Sequence, residues 1–479
     1  MSRKFGFLIQ DFGDKEKKHL KYSLNYFLTD IYYSIMDNSQ SIAELQHLVD
    51  YSLQQAKQQG ATAAEVGLSL TQGLSVSARL AAVETIEYDC DQGLSVTVYL
   101  GQHKGSASSS DLSPSAIQRT VSAACSIAKF STQDPYSGLP DADLLATEFI
   151  DLDLDHPWNL SVEQAIELAI NCETAAREGH AEIVNSEGAS VNSHRGISIL
   201  GNSLGFLQTT TGTRHSISCA VIGERDQEMQ RGYWYSVARD AQDLESVINI
   251  GQKAAMRTLQ KLGTQKLTTR VAPVLFSAEI AGSLISAFIQ AISGGNIYRK
   301  TSFLLDRLDT AIFPDFIQIY ERPFLTKALG SACFDAEGVA TQNADIICNG
   351  ILQHYLLSSY SARKLGVKSN GHAGGIHNLI IESGHQNFND LLSQLDTGLL
   401  VTELMGQGVN RVTGDYSRGA AGFWVENGKI QYPVDEITIA GNLKTLFQQI
   451  IAVGNDVEKR GNIYTGSILI EQMSIAGQN

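Results

Sequence analysis

Ala272-Pro-Val-Leu-Phe-Ser-Ala-Glu-Ile-Ala-Gly-Ser-Leu284 is the stretch on which the fold turns. Its first half is an apolar run of strand type, Ser277 is a helix-capping residue, and the sequence from Ala278 onward suits a helix. Glu279 would lie in the first helical turn, where a negative charge favours the positive end of the helix dipole. A strand turning at once into a helix often carries a site. It is also an ordinary way to open a domain, and Glu279 read alone needs no role beyond the helix end.

Downstream of this corner the signals are those of strands and turns. Asn349-Gly350 and Asn427-Gly428 sit between apolar runs such as Phe423-Trp-Val-Glu426 and Lys429-Ile-Gln-Tyr432. Such Asn-Gly pairs accept the left-handed backbone of a two-residue hairpin, so a largely antiparallel, strand-rich C-terminal domain is expected. Upstream, Gly263 ends a helix expected from Asp240 to Leu262, and the Thr/Lys/Gln-rich segment up to Arg270 reads as a linker.

Further back, Ser41-Ile-Ala-Glu44 has the form of a capping box and Gly60 suits a helix end. Runs between Ala64 and Leu100, such as Leu94-Ser-Val-Thr-Val-Tyr-Leu100, alternate as a half-buried antiparallel sheet does. Ser113-Pro114 opens a helix to about Phe130. The acidic, proline-rich stretch from Asp134 to Pro157 reads as a surface connection. Ser161 with Gln164 forms a second capping box, and strands follow near Glu182 to Gly223. The expected fold is α+β, a helix-plus-antiparallel-sheet N-terminal half before the strand-rich C-terminal domain. The divisions read are an N-terminal extension at 1–40, an N-terminal α+β domain at 41–150, a central domain at 151–265 and the C-terminal domain at 266–479. Within the extension, Met36 is a candidate true start, and the cluster Lys15-Glu-Lys-Lys18 reads as a solvated face.

Bulk properties narrow the function. Of 479 residues, 43% are hydrophobic and 18% charged, which supports packed cores rather than disorder. The net charge of −15 opposes binding to nucleic-acid phosphates or anionic membranes. Cys90, Cys125, Cys172, Cys219, Cys333 and Cys348 are scattered without a CxxC pair, as reduced and mostly buried thiols in a cytosolic protein would be. The apolar run Phe5-Gly-Phe-Leu-Ile9 is too short for a signal-peptide core, and no segment is long enough to span a bilayer.

Several chemistries find no footing. A GxxxxGK[ST] loop is absent, and neither Ser203 nor Ser417 lies in a GxSxG elbow. His372 and His377, with His354 or His385, are candidate zinc ligands, but a spacing of five in a glycine-rich loop is not a recognised ligand geometry; His377 remains a candidate groove residue. Residues 405–423 are glycine-rich with Asn410, Arg411, Asp415, Tyr416 and Arg418 interleaved. Two readings stand side by side: backbone and side-chain donors meeting an extended peptide by strand addition, or glycines making tight turns with Arg418 paired to an acid such as Glu403.

Beyond the first forty residues the chain resembles the TldD/TldE (PmbA) peptidase family, as a TldE/PmbA-type member. The resemblance is carried by Asp134-Pro-Tyr-Ser-Gly-Leu139, Asn202-Ser-Leu-Gly-Phe206, Phe334-Asp-Ala-Glu-Gly-Val-Ala-Thr341, Gly371-His-Ala-Gly-Gly-Ile-His-Asn378 and the block from Met405 to Phe423. It implies the TldD/PmbA fold. In the catalytic member, TldD, the matching corner carries HExxxH, whose histidines hold zinc while the glutamate activates water. Here those positions are Ala278, Glu279 and Ser283. The family's third ligand is a cysteine near the C-terminus, whereas this chain continues past Gly454-Asn-Asp456 to Gly466 without one. Alanine has no donor and serine is a poor one, so the resemblance implies a chain with no zinc of its own and no catalytic residues, zinc being expected in a TldD-like partner. It also implies unfolded or short cytosolic polypeptides as substrates, with microcin precursor maturation, antitoxin turnover and modulation of DNA gyrase as family roles. Self-association as a homodimer stays open when the partner is absent. Two other readings remain: an autonomous metalloprotease using unaligned ligands, and an interaction protein that modulates gyrase without proteolysis.

Overall fold

A computed structural model describes residues 3–6 and 38–477. The readings of Met36 as a start and of Lys15 to Lys18 as a solvated face concern residues outside this set. The chain divides into two compact units. The first comprises Met1–Asp143, Asp153–Val221 and Tyr233–Ala255, and the second comprises Leu144–Leu152, Ile222–Gly232 and Met256–Asn479.

The first unit holds most of a seven-stranded sheet. Its strands run in the order Arg3–Gly6, Ala82–Leu100, Ala63–Arg79, Ile183–Asn202, Leu207–Arg225 and Glu228–Ala238, with His103–Ser109 also paired to Ala82–Leu100. Alternation places Ala64, Val66 and Leu68 opposite Leu94, Val96 and Val98 on one buried face. Helices Asn38–Gln58 and Pro114–Phe130 close that core with Val49 and Ala56 from the first and Ile117, Val121 and Ala124 from the second. Ser113 caps the latter helix, its hydroxyl accepting from the Ala116 amide at 3.4 Å with Pro114 at the first helical position. The capping box at Ser161 forms as expected, its hydroxyl accepting from the Gln164 amide while the Gln164 carbonyl accepts from the Ser161 amide.

Two helix starts differ from expectation. The first helix begins at Asn38, which puts Ser41 inside its first turn rather than at its cap. A Ser-x-x-Glu spacing fits an interior turn as well as an end, and nothing after Asn38 breaks the helix. The helix expected from Asp240 is divided. Asp240 accepts from the Gln242 amide at 3.0 Å and caps only the short turn Ala241–Asp243. The helix proper, Val247–Gln260, starts beyond Ser246, whose hydroxyl accepts from the Asn249 amide at 3.2 Å.

The second unit contains the corner. Strand Arg270–Phe276 leads straight into helix Ala278–Ile292, and Ala281, Leu284, Ile285, Phe288, Ala291 and Ile292 form its buried stripe at helical spacing. The strand pairs in parallel with Gly398–Met405 and antiparallel with Ile468–Ala476. The sheet continues from Gly398–Met405 to Asp415–Glu426 and Lys429–Asn442, and the last of these pairs back onto Ile468–Ala476. Five strands therefore close on themselves, with Ile450–Val453 as a branch on Ile468–Ala476. Val274 and Phe276 point to the main core while Leu275 joins Leu391, Leu400 and Phe423 on the other side, so this strand is buried on both faces.

Both Asn-Gly pairs make the expected hairpins. Cys348 faces Ile351 and Glu426 faces Lys429 across two-residue turns. Their φ values are +48° and +74° at Asn349 and Gly350, and +51° and +69° at Asn427 and Gly428. A second, five-stranded sheet orders Ile351–Leu352, Ala344–Cys348, Ile319–Glu321, Leu379–Ile381 and Ile463–Tyr464. Of the six free cysteines only Cys125, Cys172 and Cys219 are buried, since Cys90 is exposed and Cys333 and Cys348 are half-buried. Among the described residues no helix is long and apolar enough to cross a membrane.

Candidate functional site

At the corner the local chemistry is set by what replaces strong metal donors. Ala278 offers only its backbone amide, which donates to Ser467 Oγ at 3.0 Å. Ser467 is held in turn by Asp456, whose carboxylate accepts from the Ser467 hydroxyl at 2.6 Å and from its amide at 2.9 Å. The chain from Gly454 to Ser467 is thereby folded against the start of the helix, bringing together two stretches almost 190 positions apart. Ser277 occupies the cap position but makes no side-chain capping bond, contrary to expectation; the Ile280 amide donates to the Ser277 backbone carbonyl at 3.0 Å instead. Among the described residues the buried hydroxyls of Ser277 and Ser283 find no hydrogen-bond partner.

Glu279 is tied to Arg257, with Nη1 to Oε1 at 2.8 Å and both side chains about a quarter exposed. The donor set at the corner is thus three serine hydroxyls and two carboxylates already engaged by Arg257 and Ser467. Imidazole and thiolate, which fix zinc in peptidases, are missing, and a hydroxyl is a weak ligand. Zinc does not fit these residues. Among the described residues no group of three or more His, Cys, Asp or Glu side chains is placed to hold a metal ion.

The histidine-containing loop is a hydrogen-bonded lattice. Glu321, almost fully buried at the end of its strand, accepts from His372 Nε2 at 2.6 Å and from the His377 amide. The other nitrogen of His372 faces Asn370 Oδ1 at 2.9 Å. That oxygen is fixed as an acceptor, since it also takes the Leu357 amide while Asn370 Nδ2 donates to the Tyr355 carbonyl. Both ring nitrogens of His372 are therefore engaged by neighbouring side chains. His377 Nε2 contacts the Gly371 carbonyl at 3.3 Å. Burial pushes the Glu321 carboxyl up, but the bonds and charge of His372 and the His377 amide outweigh it and hold the group below the ordinary glutamate range. Asp335, from the 334–341 motif, accepts from the amides of Glu337, Val339 and Ala373, joining that motif to the loop. Burial dominates there and holds its carboxyl above the ordinary range. Burial likewise lowers His354. His385 meets Asn455 through its backbone carbonyl.

The 405–423 block splits by strand alternation. Tyr416 points into the core, 2% exposed, its phenol pushed by burial up to about 12 against the pull of the neighbouring Arg418. Arg418 does not pair with Glu403, as one reading expected. The register puts Glu403 opposite Ala421, three residues along from Arg418, and Glu403 bonds Lys261 instead. Asn410, Arg411, Asp415 and Ser417 face outward onto a cavity of about 670 Å³ completed by Asn296, Thr301, Gln407, Gly408, Val409 and Val412. Asn410 shapes the rim: its side-chain oxygen accepts from the Val412 amide at 3.0 Å and its own amide donates to the Asp415 carbonyl at 2.8 Å. At Gly408 a Cβ would lie 1.7 Å from the Ser417 carbonyl oxygen, so only glycine permits this closure.

Of the residues singled out in sequence, Asn410, Arg411 and Asp415 are brought to one cavity. Ala278, Glu279 and Ser283 lie on the corner helix, His377 belongs to the lattice, and Tyr416 and Arg418 face inward. Asn296 and Thr301 were missed. The cue was Gly294-Gly295-Asn296 directly after an apolar helix, a loop signal without an obvious chemical one. Ser203 has a structural use, its hydroxyl accepting from the Ala64 amide at 3.0 Å.

Comparison with known proteins gives a consistent result. Family models described as PmbA/TldA metallopeptidase domain 1, central domain and C-terminal domain match residues 64–128, 155–262 and 269–477. The chain is 53% identical over 415 residues to the metalloprotease PmbA of Escherichia coli O157:H7, covering 87% of this chain and 92% of that protein. Among solved structures, a proposed modulator of DNA gyrase from Bacteroides thetaiotaomicron superposes with a TM-score of 0.86 at 29% identity, covering 91% of this chain and 99% of the other. TldE from Thermococcus kodakarensis superposes with a TM-score of 0.78 at 21% identity, covering 90% and 100%, a likeness of fold alone.

Proposed function

Because the chain belongs to the PmbA/TldA metallopeptidase family, we propose that it serves as the zinc-free, TldE-like subunit of a cytosolic peptidase and acts with a TldD-like subunit that carries HExxxH. The observation that carries this reading is the corner, where Ala278 has no donor, Ser283 has only a buried hydroxyl and Glu279 is bonded to Arg257. A glutamate acts as general base on a metal-bound water only if the metal is there to acidify it. The chain's own contribution is then to bind and present unfolded or short polypeptides, with the 407–417 cavity as the candidate place. In support, strand addition needs a rim whose backbone is already fixed, and Asn410 and Gly408 fix it.

The test is zinc binding by the purified full chain, followed by equilibrium dialysis and metal analysis. The expected outcome is well under one zinc per chain. One tightly held zinc per chain, lost together with peptide cleavage on chelation, would establish an autonomous metalloprotease instead.

A further inference from the structure

We propose that the 407–417 cavity is a carboxylate subsite, in which Arg411 takes an acidic side chain or the C-terminal carboxylate of the bound peptide. This rests on the reading of the cavity as the peptide site and adds the chemistry it selects.

Arg411 has no ion pair or side-chain hydrogen bond to any described residue, although its backbone is pinned. Its carbonyl accepts from the Phe303 amide at 2.9 Å, and the flanking Asn410 turn fixes the chain on either side. The guanidinium is therefore presented from a rigid support, with its donors unspent. The neighbouring groups do not neutralise it. Asp415, in the same wall, has its oxygens engaged by the Thr413 hydroxyl at 2.6 Å and Asn442 Nδ2 at 3.0 Å. Arg299 adds a second cation on the bordering stretch, its Nη1 donating to the Tyr298 phenol at 3.0 Å, and Lys300 a third. Across 296–301 and 407–417 three cations thus stand against the single anion Asp415, in a chain whose net charge is −15.

Gln407 and Ser417 line the same cavity with polar side chains that have no partner among the described residues. With the arginine fork they can complete the coordination of a planar, singly charged oxyanion. A phosphate dianion fits less well, because only Arg411 among the cations lines the cavity itself and Asp415 opposes a second negative charge.

The experiment uses the full chain and three labelled, otherwise identical unstructured octapeptides, read by fluorescence anisotropy. One has a free C-terminus and no acidic side chain, one is C-terminally amidated with an internal glutamate, and one is amidated without any acid. The acid-free peptide is expected to bind about tenfold more weakly than at least one of the other two, the size of one charge-assisted hydrogen-bonded contact. Whichever acidic peptide is tighter identifies the source of the carboxylate. R411Q is expected to collapse the gap and R411K to keep part of it, with the melting temperature of each variant checking that the fold persists. Equal binding of all three peptides to the wild type, or a gap that survives R411Q, overturns the carboxylate subsite while leaving the peptide site standing. No binding of any peptide overturns both.

Discussion

Glu279 is the residue on which the catalytic question rests, and its surroundings are those of a surface ion pair. Exposed pairs of this kind contribute up to about 1 kcal/mol. E279Q is therefore expected to shift urea denaturation by less than about 1 kcal/mol. A loss several times larger would mean that the carboxylate has a buried role. Glu321 is the opposite case. It is buried with His372 as its partner, and leaving one member of such a pair unmatched costs about 3–5 kcal/mol. E321Q should lower stability by that order, and its pH dependence should also change. As pH falls below the ordinary glutamate value of 4.5, the unfolded chain takes up a proton before folded Glu321 does. The stabilisation is full above that value and drains away as pH drops through the lower folded value. Denaturation curves from pH 7 to pH 3 should show a shallower acid slope in E321Q than in the wild type. An unchanged slope would remove Glu321 from the account.

At the scale of elements, the hairpin between strands Ala63–Arg79 and Ala82–Leu100 carries a prediction of its own. Leu80 and Ala81 turn with φ of +53° and +60°, a backbone that costs non-glycine residues roughly 1–2 kcal/mol each. Fully buried Glu173 compensates by accepting from both amides at 2.8 Å. A81G should raise stability by about 1 kcal/mol, whereas E173A, which orphans two amides, should lower it by 2 kcal/mol or more. A destabilised A81G would contradict the strain argument. The turn also shows why some elements were legible and others not. Asn427-Gly428 announced its hairpin because the residues themselves prefer the left-handed backbone. Leu80-Ala81 gave no such sign, since its turn is held by a carboxylate 92 positions away. Helix ends divide in the same way: Ser113-Pro114 and Ser161 cap through near neighbours, while at Ser277 the side chain makes no cap and the first helical amide, of Ala278, is met by the distant Ser467, which no local pattern reveals.

For the whole molecule, the alternation of the N-terminal strands and the turn chemistry of the C-terminal ones made the α+β class readable in advance. Closure of the C-terminal strands into a ring was not readable, because it depends on Thr438 to Ala440 meeting Ser474 to Ala476. The site was legible in part. The absence of zinc donors at Ala278 and Ser283 is a matter of residue type and needs no structure. Which polar residues of the 405–423 block face outward depends on structure: alternation along the strand from Asp415 separates Asp415 and Ser417 from Tyr416 and Arg418, while Arg411 sits in the turn before it. The most direct test of the central claim is cleavage of an unstructured peptide by this chain alone, by an HExxxH-bearing TldD-like subunit alone, and by the two together. The account predicts that the mixture cuts faster than either subunit, that this chain alone does not cut, and that E279Q leaves the mixture's rate unchanged. Zinc-dependent cleavage by this chain alone, abolished by E279Q, would contradict it.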